Sequence, residues 1–142
     1  MNLVQLLQQL KVDERFLRNV TRWEVIPPAS GKYADFPAEL NPRLVDALRR
    51  RGMDQLYSHQ ASSVALAAQG RSFVVPTPTA SGKTLCYNLP VLVTILANKQ
   101  ARALYLFPTK ALSQDQMHEV HSLITDLGED IKTFTFDGDH LV

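Results

Sequence analysis

Phe73-Val74-Val75-Pro76-Thr77-Pro78-Thr79-Ala80-Ser81-Gly82-Lys83-Thr84 decides how the rest of the chain is read. A compact apolar run stops at Pro76 and gives way to a turn-rich stretch, the pattern of a buried parallel strand. From Gly82 to Ala97, Leu85, Leu89, Leu92 and Leu96 belong to an apolar surface that covers most of a helix, so this helix is expected to lie buried against a sheet. Pro90 inside it predicts a kink. Thr77 to Thr84 ends in Gly-Lys-Thr, the closing half of a phosphate-binding loop, with Thr77 where the simple pattern asks for glycine. The context supports the motif in spite of that departure. A loop that follows a strand and opens a helix aims backbone N–H groups and the helix dipole at a bound phosphate. Lys83 would then reach the β- and γ-phosphates of a nucleotide, and the Thr84 hydroxyl would ligate Mg²⁺.

Downstream, Ala103 to Phe107 reads as a second strand and Lys132 to Phe136 as a third. Between them Thr109 to Leu127 is a helix with Met117, Val120, Ile124 and Leu127 on one face. Strand, helix, strand, helix, strand means right-handed crossovers, a parallel sheet and an α/β fold with helices on its faces. Upstream, Ser58 caps a helix with the stripe Ala61, Val64, Ala65 and Ala68, and Gly70 ends it. Asn41 and Pro42 open another helix, with Leu44, Ala47 and Leu48 on one face and Gly52 as the stop. Residues 1 to 40 are expected to form an accessory extension: a short docking helix with Leu3, Leu6, Leu7 and Leu10 at helical spacing, a second helical turn from Asp13, and then Pro27, Pro28, Gly31 and Pro37, which forbid regular structure.

Composition narrows the possibilities without choosing among them. The chain has 142 residues, 45% hydrophobic and 20% charged, which is too apolar for a disordered tail. A net charge of +1 creates no overall field that would attract nucleic acid, so any such contact must be local. The single cysteine, Cys86, fits a reducing compartment, and cytoplasm is the default. The apolar run Leu89 to Val93 falls well short of the roughly 20 residues a membrane span needs. Arg49, Arg50 and Arg51 form a basic cluster that a solvated helix end explains, and His59 reads as a surface histidine. Gln60 has an amide able to pair with N6 and N7 of adenine and so to select ATP over GTP; as a lone glutamine it would read as a solvated helix residue.

Three stretches together resemble the DEAD/DEAH-box helicases of superfamily two and, within them, the RecQ-like Hrq or mitomycin-repair group with a C-terminal domain of unknown function. They are Leu56-Tyr57-Ser58-His59-Gln60, similar to the Q motif; Thr77 to Thr84 running into Leu85-Cys86-Tyr87-Asn88-Leu89-Pro90; and Pro108-Thr109-Lys110-Ala111-Leu112-Ser113-Gln114-Asp115-Gln116, similar to motif Ia. The resemblance covers residues 40 to 140 and implies an incomplete RecA-like phosphate-loop NTPase domain over 41–142, with ATP and Mg²⁺ as cofactors. Its implied ATP contacts are Gln60, Thr77, Pro78, Thr79, Ala80, Ser81, Gly82, Lys83 and Thr84, with Thr84 also on the metal. Such loops commonly lack the first glycine, which accounts for Thr77. Motif Ia implies that Pro108, Thr109 and Lys110 touch the sugar-phosphate backbone of single-stranded DNA, where a helix start supplies a hydroxyl, N–H groups and a cation. Without the resemblance, Thr109 would read simply as a helix cap.

Hydrolysis needs an acidic pair after an apolar strand. Asp137-Gly138-Asp139-His140 imitates one but has Gly138 at the position of the catalytic glutamate and comes only one strand after motif Ia, so no catalytic residue is assigned. The expectation is the first part of a 3′-to-5′ DNA helicase, inactive alone and dependent on a second RecA-like domain in cis or trans. The alternatives are a non-catalytic ATP- or nucleic-acid-binding remnant or split subunit and, ranked last, a phosphate-loop kinase or transport ATPase.

Overall fold

The computed structural model describes residues 2–27, 30–78 and 81–136, in two compact units, Met1–Ser30 and Gly31–Val142. The first holds α1 (Leu3–Leu10) and α2 (Glu14–Leu17), capped by the side chains of Asn2 and Asp13. Leu3, Leu6 and Leu7 of α1 are exposed. In the same unit Lys11 lies 5.4 Å from the Trp23 ring centre, and Phe16 meets that ring edge-on.

The second unit begins earlier than residue 41. Tyr33–Ala34 forms β1 and pairs antiparallel with β2 (Leu56–Tyr57), in the register Tyr33 to Tyr57 and Ala34 to Leu56. Leu40 enters the core. The proline-rich approach therefore contains regular structure after all, in a strand too short to produce any periodicity in the sequence.

Four helices follow: α3 (Pro42–Arg50), α4 (Ser58–Ala68), α5 (Lys83–Ala97) and α6 (Lys110–Leu127). Asn41 caps α3 by accepting from the Arg43 N–H at 2.9 Å, with Pro42 in the first turn. Leu44, Ala47 and Leu48 of α3 pack with Leu123, Ile124 and Leu127 of α6 and Leu89 and Leu92 of α5 in one core. Helix α4 packs chiefly on α5. Its inward face is Gln60, Ser63 and Val64, rotated from the expected alanine stripe; Ala68 is exposed. In a helix built of alanines and serines the apolar pattern is too weak to fix the facing, and the polar bonds of Gln60 set it instead. Helix α5 continues through Pro90.

The arginine cluster is not merely solvated. Arg50 donates to the Asp126 carbonyl at 2.6 Å, and Arg43 donates to the Leu127 carbonyl at 2.9 Å, so α3 satisfies the last turn of α6. Arg51 bonds the Asp126 carboxylate and the Ser122 hydroxyl and lies 3.6 Å from Glu119. Glu129 accepts from both Arg43 and Lys99, and these two cations, Lys99 foremost, hold its carboxyl below the usual range. Arg49 instead lies 5.7 Å from the centre of the Phe36 ring.

The expected strands at 73–75, 103–107 and 132–136 form no ladder; the ordered sheet among the described residues is the β1–β2 pair. They nonetheless keep strand alternation. Phe73, Val75, Tyr105, Phe107, Thr133 and Thr135 are half-buried, whereas Val74, Leu104, Leu106, Phe134 and Phe136 are each more than 80% exposed. Apolar residues on both faces suit a sheet covered on both sides, and the outer face here is open. The architecture is that of an incomplete RecA-like α/β domain.

Candidate nucleotide site and motif Ia helix

Four helices, α1, α2, α3 and α6, begin on a side chain that caps an N–H group; α4, which follows Tyr57, does not, and neither does α5. Its N-cap is Gly82, at φ +71°, a left-handed conformation that glycine adopts without strain. A Cβ at Gly82 would also come within 2.6 Å of Gln60 Nε2. The opening N–H groups of α5 are thus left without a side-chain acceptor, the condition under which a helix start takes an anion.

The described part of the loop is tied at both ends. Thr77 Oγ1 and Ser81 Oγ are 2.6 Å apart, so a side chain at the position where glycine was expected closes the loop on itself. Lys83 Nζ donates to the Thr77 carbonyl at 2.8 Å and to the Pro78 carbonyl at 2.6 Å. Its ammonium is held inside the loop by neutral oxygens. Thr79 and Ala80 lie outside the described residues, as does the Asp137 to His140 stretch.

Gln60, 3% exposed, holds the loop from behind. Its Oε1 accepts from the Tyr57 N–H at 2.9 Å and its Nε2 donates to the Gly82 carbonyl at 2.8 Å. One N–H and one lone pair of the amide remain beyond these bonds. His59, read as a surface histidine, is half-buried, with Nε2 2.9 Å from the Ser81 carbonyl. A carbonyl can only accept, so this nitrogen carries a proton. The His59 ring stacks on Tyr57 and Tyr57 on Tyr33, with centroids 5.5 Å and 4.9 Å apart. The β1–β2 pair therefore sets the wall behind the loop. Nothing in the sequence spacing marks His59, because its partner lies 22 residues away.

Thr84 faces a second helix. Its hydroxyl donates to Gln116 Oε1 on α6 at 3.1 Å, and Tyr87 donates to the same oxygen. With its hydrogen engaged, the Thr84 oxygen still has lone pairs to offer. One hydroxyl ligand suits Mg²⁺, which takes few protein ligands and completes its shell with phosphate oxygens and water. Thr109 caps α6 by accepting from the Leu112 N–H at 3.2 Å; Pro108, Thr109 and Lys110 are exposed at that helix start. Burial, and next the neighbouring Tyr87, push the Tyr105 hydroxyl up to about 12, and it donates to Asn88 at 3.1 Å.

A loop tied to itself at an uncapped helix start, backed by a glutamine and followed by a second helix in contact with it, is an arrangement able to take an anion. The sequence model of the DEAD/DEAH box helicase family matches residues 57–141, and the chain belongs to that family. It is 49% identical over 97% of its length to an uncharacterized ATP-dependent helicase, YprA of Bacillus subtilis strain 168, covering 18% of that protein. It is 31% identical over 95% of its length to the ATP-dependent helicase HRQ1 of Saccharomyces cerevisiae, covering 12% of it. The crystal structure of the DUF1998 helicase MrfA bound to DNA and AMPPNP superposes with a TM-score of 0.79 at 49% identity, over 98% of this chain and 19% of that one. The chain thus spans less than a fifth of the length of these relatives. Among the described residues no helix is long and apolar enough to cross a membrane.

Proposed function

We propose that the chain supplies the nucleotide-holding part of the first RecA-like domain of an ATP-dependent DNA helicase that moves 3′ to 5′ in the cytoplasm. The observation that carries this reading is the Lys83 ammonium, held between the Thr77 and Pro78 carbonyls at a helix start with no capping side chain. Phosphate oxygens are stronger acceptors for an ammonium than neutral carbonyls, so an entering nucleotide takes Lys83 from the loop. Thr77 to Thr84, including Thr79 and Ala80, enclose the phosphates. The remaining N–H and lone pair of Gln60 are what pairing with N6 and N7 of adenine requires. Mg²⁺, when bound, neutralises charge on the β- and γ-phosphates. The chain's contribution there is the Thr84 oxygen.

Pro108, Thr109 and Lys110 serve a different phosphate, that of the single strand along which the helicase moves. Backbone contacts of this kind set position and carry no base sequence. The presence of DNA and AMPPNP in the MrfA structure supports the binding of a nucleotide and of DNA. Turnover also requires an acidic pair and the arginine finger of a second RecA-like domain. By itself, therefore, the chain binds nucleotide and hydrolyses it no faster than background.

Calorimetric titration with Mg·ATP tests the reading. Lys83→Ala is expected to weaken binding on the order of a hundredfold, the scale of a lost charge-assisted contact, with circular dichroism showing both proteins folded. Equal affinity in the two would overturn it.

A further inference from the structure

We propose that Gln116 is a positioning residue that fixes the Thr84 hydroxyl for the metal and thereby ties the phosphate loop to the strand-contacting helix α6. This rests on the nucleotide reading above. Three other hydroxyls in the helices bond backward along their own helix: Ser63 to the His59 carbonyl, Thr94 to Pro90 and Thr125 to His121. Thr84 stands in the first turn of α5, and its hydrogen crosses to Gln116 instead.

The Gln116 oxygen has two lone pairs, and two hydroxyl hydrogens, from Thr84 and Tyr87, meet it. An acceptor so filled leaves the Thr84 hydrogen one direction, and the free lone pairs of Thr84 must face away from α6. A hydroxyl without this acceptor would rotate and offer its hydrogen where a cation needs an electron pair. Groups that orient a metal ligand in this way typically matter 10- to 100-fold for metal affinity.

The same bond gives the loop a mechanical connection. Gln116 sits about two turns into α6, whose first residues follow Thr109 and whose last turn is bonded to α3 by Arg43, Arg50 and Arg51. Any movement of Thr84 on nucleotide exchange thus acts on a helix held at its far end.

The full chain is titrated with AMPPNP, once with Mg²⁺ and once in EDTA, for the wild type, Gln116→Met and Gln116→Glu. The methionine removes the acceptor at similar volume, and the glutamate keeps it. Gln116→Met is expected to lose about 10-fold or more of the affinity gained from Mg²⁺, to leave the EDTA affinity unchanged, and to be rescued by Gln116→Glu. Wild-type binding with the same Mg²⁺ increment in Gln116→Met overturns this inference alone. So does an equal loss with and without Mg²⁺ accompanied by a lower Tm, which marks a packing role. A wild type that binds no AMPPNP in either condition overturns the nucleotide reading and this inference with it.

Discussion

Helices α5 and α6 start in opposite ways although each is assigned a phosphate. The first turn of α5 opens on Gly82 with no capping side chain and a lysine folded back into the loop, whereas α6 opens on Thr109, whose oxygen already accepts from Leu112. An uncapped start keeps its N–H groups for a ligand and costs the helix its cap. A capped start stabilises the helix first and gives a phosphate weaker purchase. Under the proposed function, tight binding belongs at α5 and guidance at α6, which suits a nucleotide that must be held and a strand that must be released.

The largest effect after Lys83 should come from Gln60. Its amide was expected to read adenine alone, and Gln60→Ala would then change only the ratio of ATP to GTP affinity. The bonds to Tyr57 and Gly82 predict more. Removing the buried amide leaves the Tyr57 N–H and the Gly82 carbonyl without their partner, at about 1–3 kcal/mol. Affinity for ATP and GTP should fall together, roughly 10- to 100-fold, in parallel calorimetric titrations. A change confined to the ratio would return Gln60 to pure base recognition and remove its part in holding α5 open.

Thr109→Ala sharpens the contrast from the other side. Loss of an N-cap should lower stability by about 1 kcal/mol, read as a shift of the urea midpoint, with nucleotide affinity unaltered. A fall in nucleotide affinity equal to that of Gln60→Ala would abolish the distinction between the two helix starts.

The smallest effect concerns the anchored end of α6. Lys99 and Arg43 depress the Glu129 carboxyl, so its contribution to stability is fully present above the unfolded carboxylate range and is lost as pH falls through the lower folded value. Tm measured from about pH 7 to about pH 3 should drop less steeply in Glu129→Gln than in the wild type. Parallel curves would show that Glu129 adds nothing to the hold on α6.

Much of this arrangement could be read in the residues. The caps at Asn41 and Thr109, the Gly-Lys-Thr end of the loop and the apolar stripes fixed α3, α5 and α6 and the place of Lys83, because all of these act within a turn of their own position, whereas α4 follows Tyr57 and not the expected cap Ser58. What escaped depends on distant partners. Tyr33 pairs with Tyr57, Arg51 reaches Asp126, His59 meets Ser81, and Gln116 meets Thr84. No local pattern encodes such pairs. Segments 73–75, 103–107 and 132–136 lie between the two cases, since alternation is local and visible but a ladder requires a neighbour.

That alternation leaves Val74, Leu104, Leu106, Phe134 and Phe136 exposed. Burying one such side chain releases about 1.5–3 kcal/mol. The five together hold roughly what separates a typical domain from its unfolded chain, about 5–15 kcal/mol. Left uncovered, such side chains favour association of one copy with another, the ordinary hazard of exposed apolar strand segments.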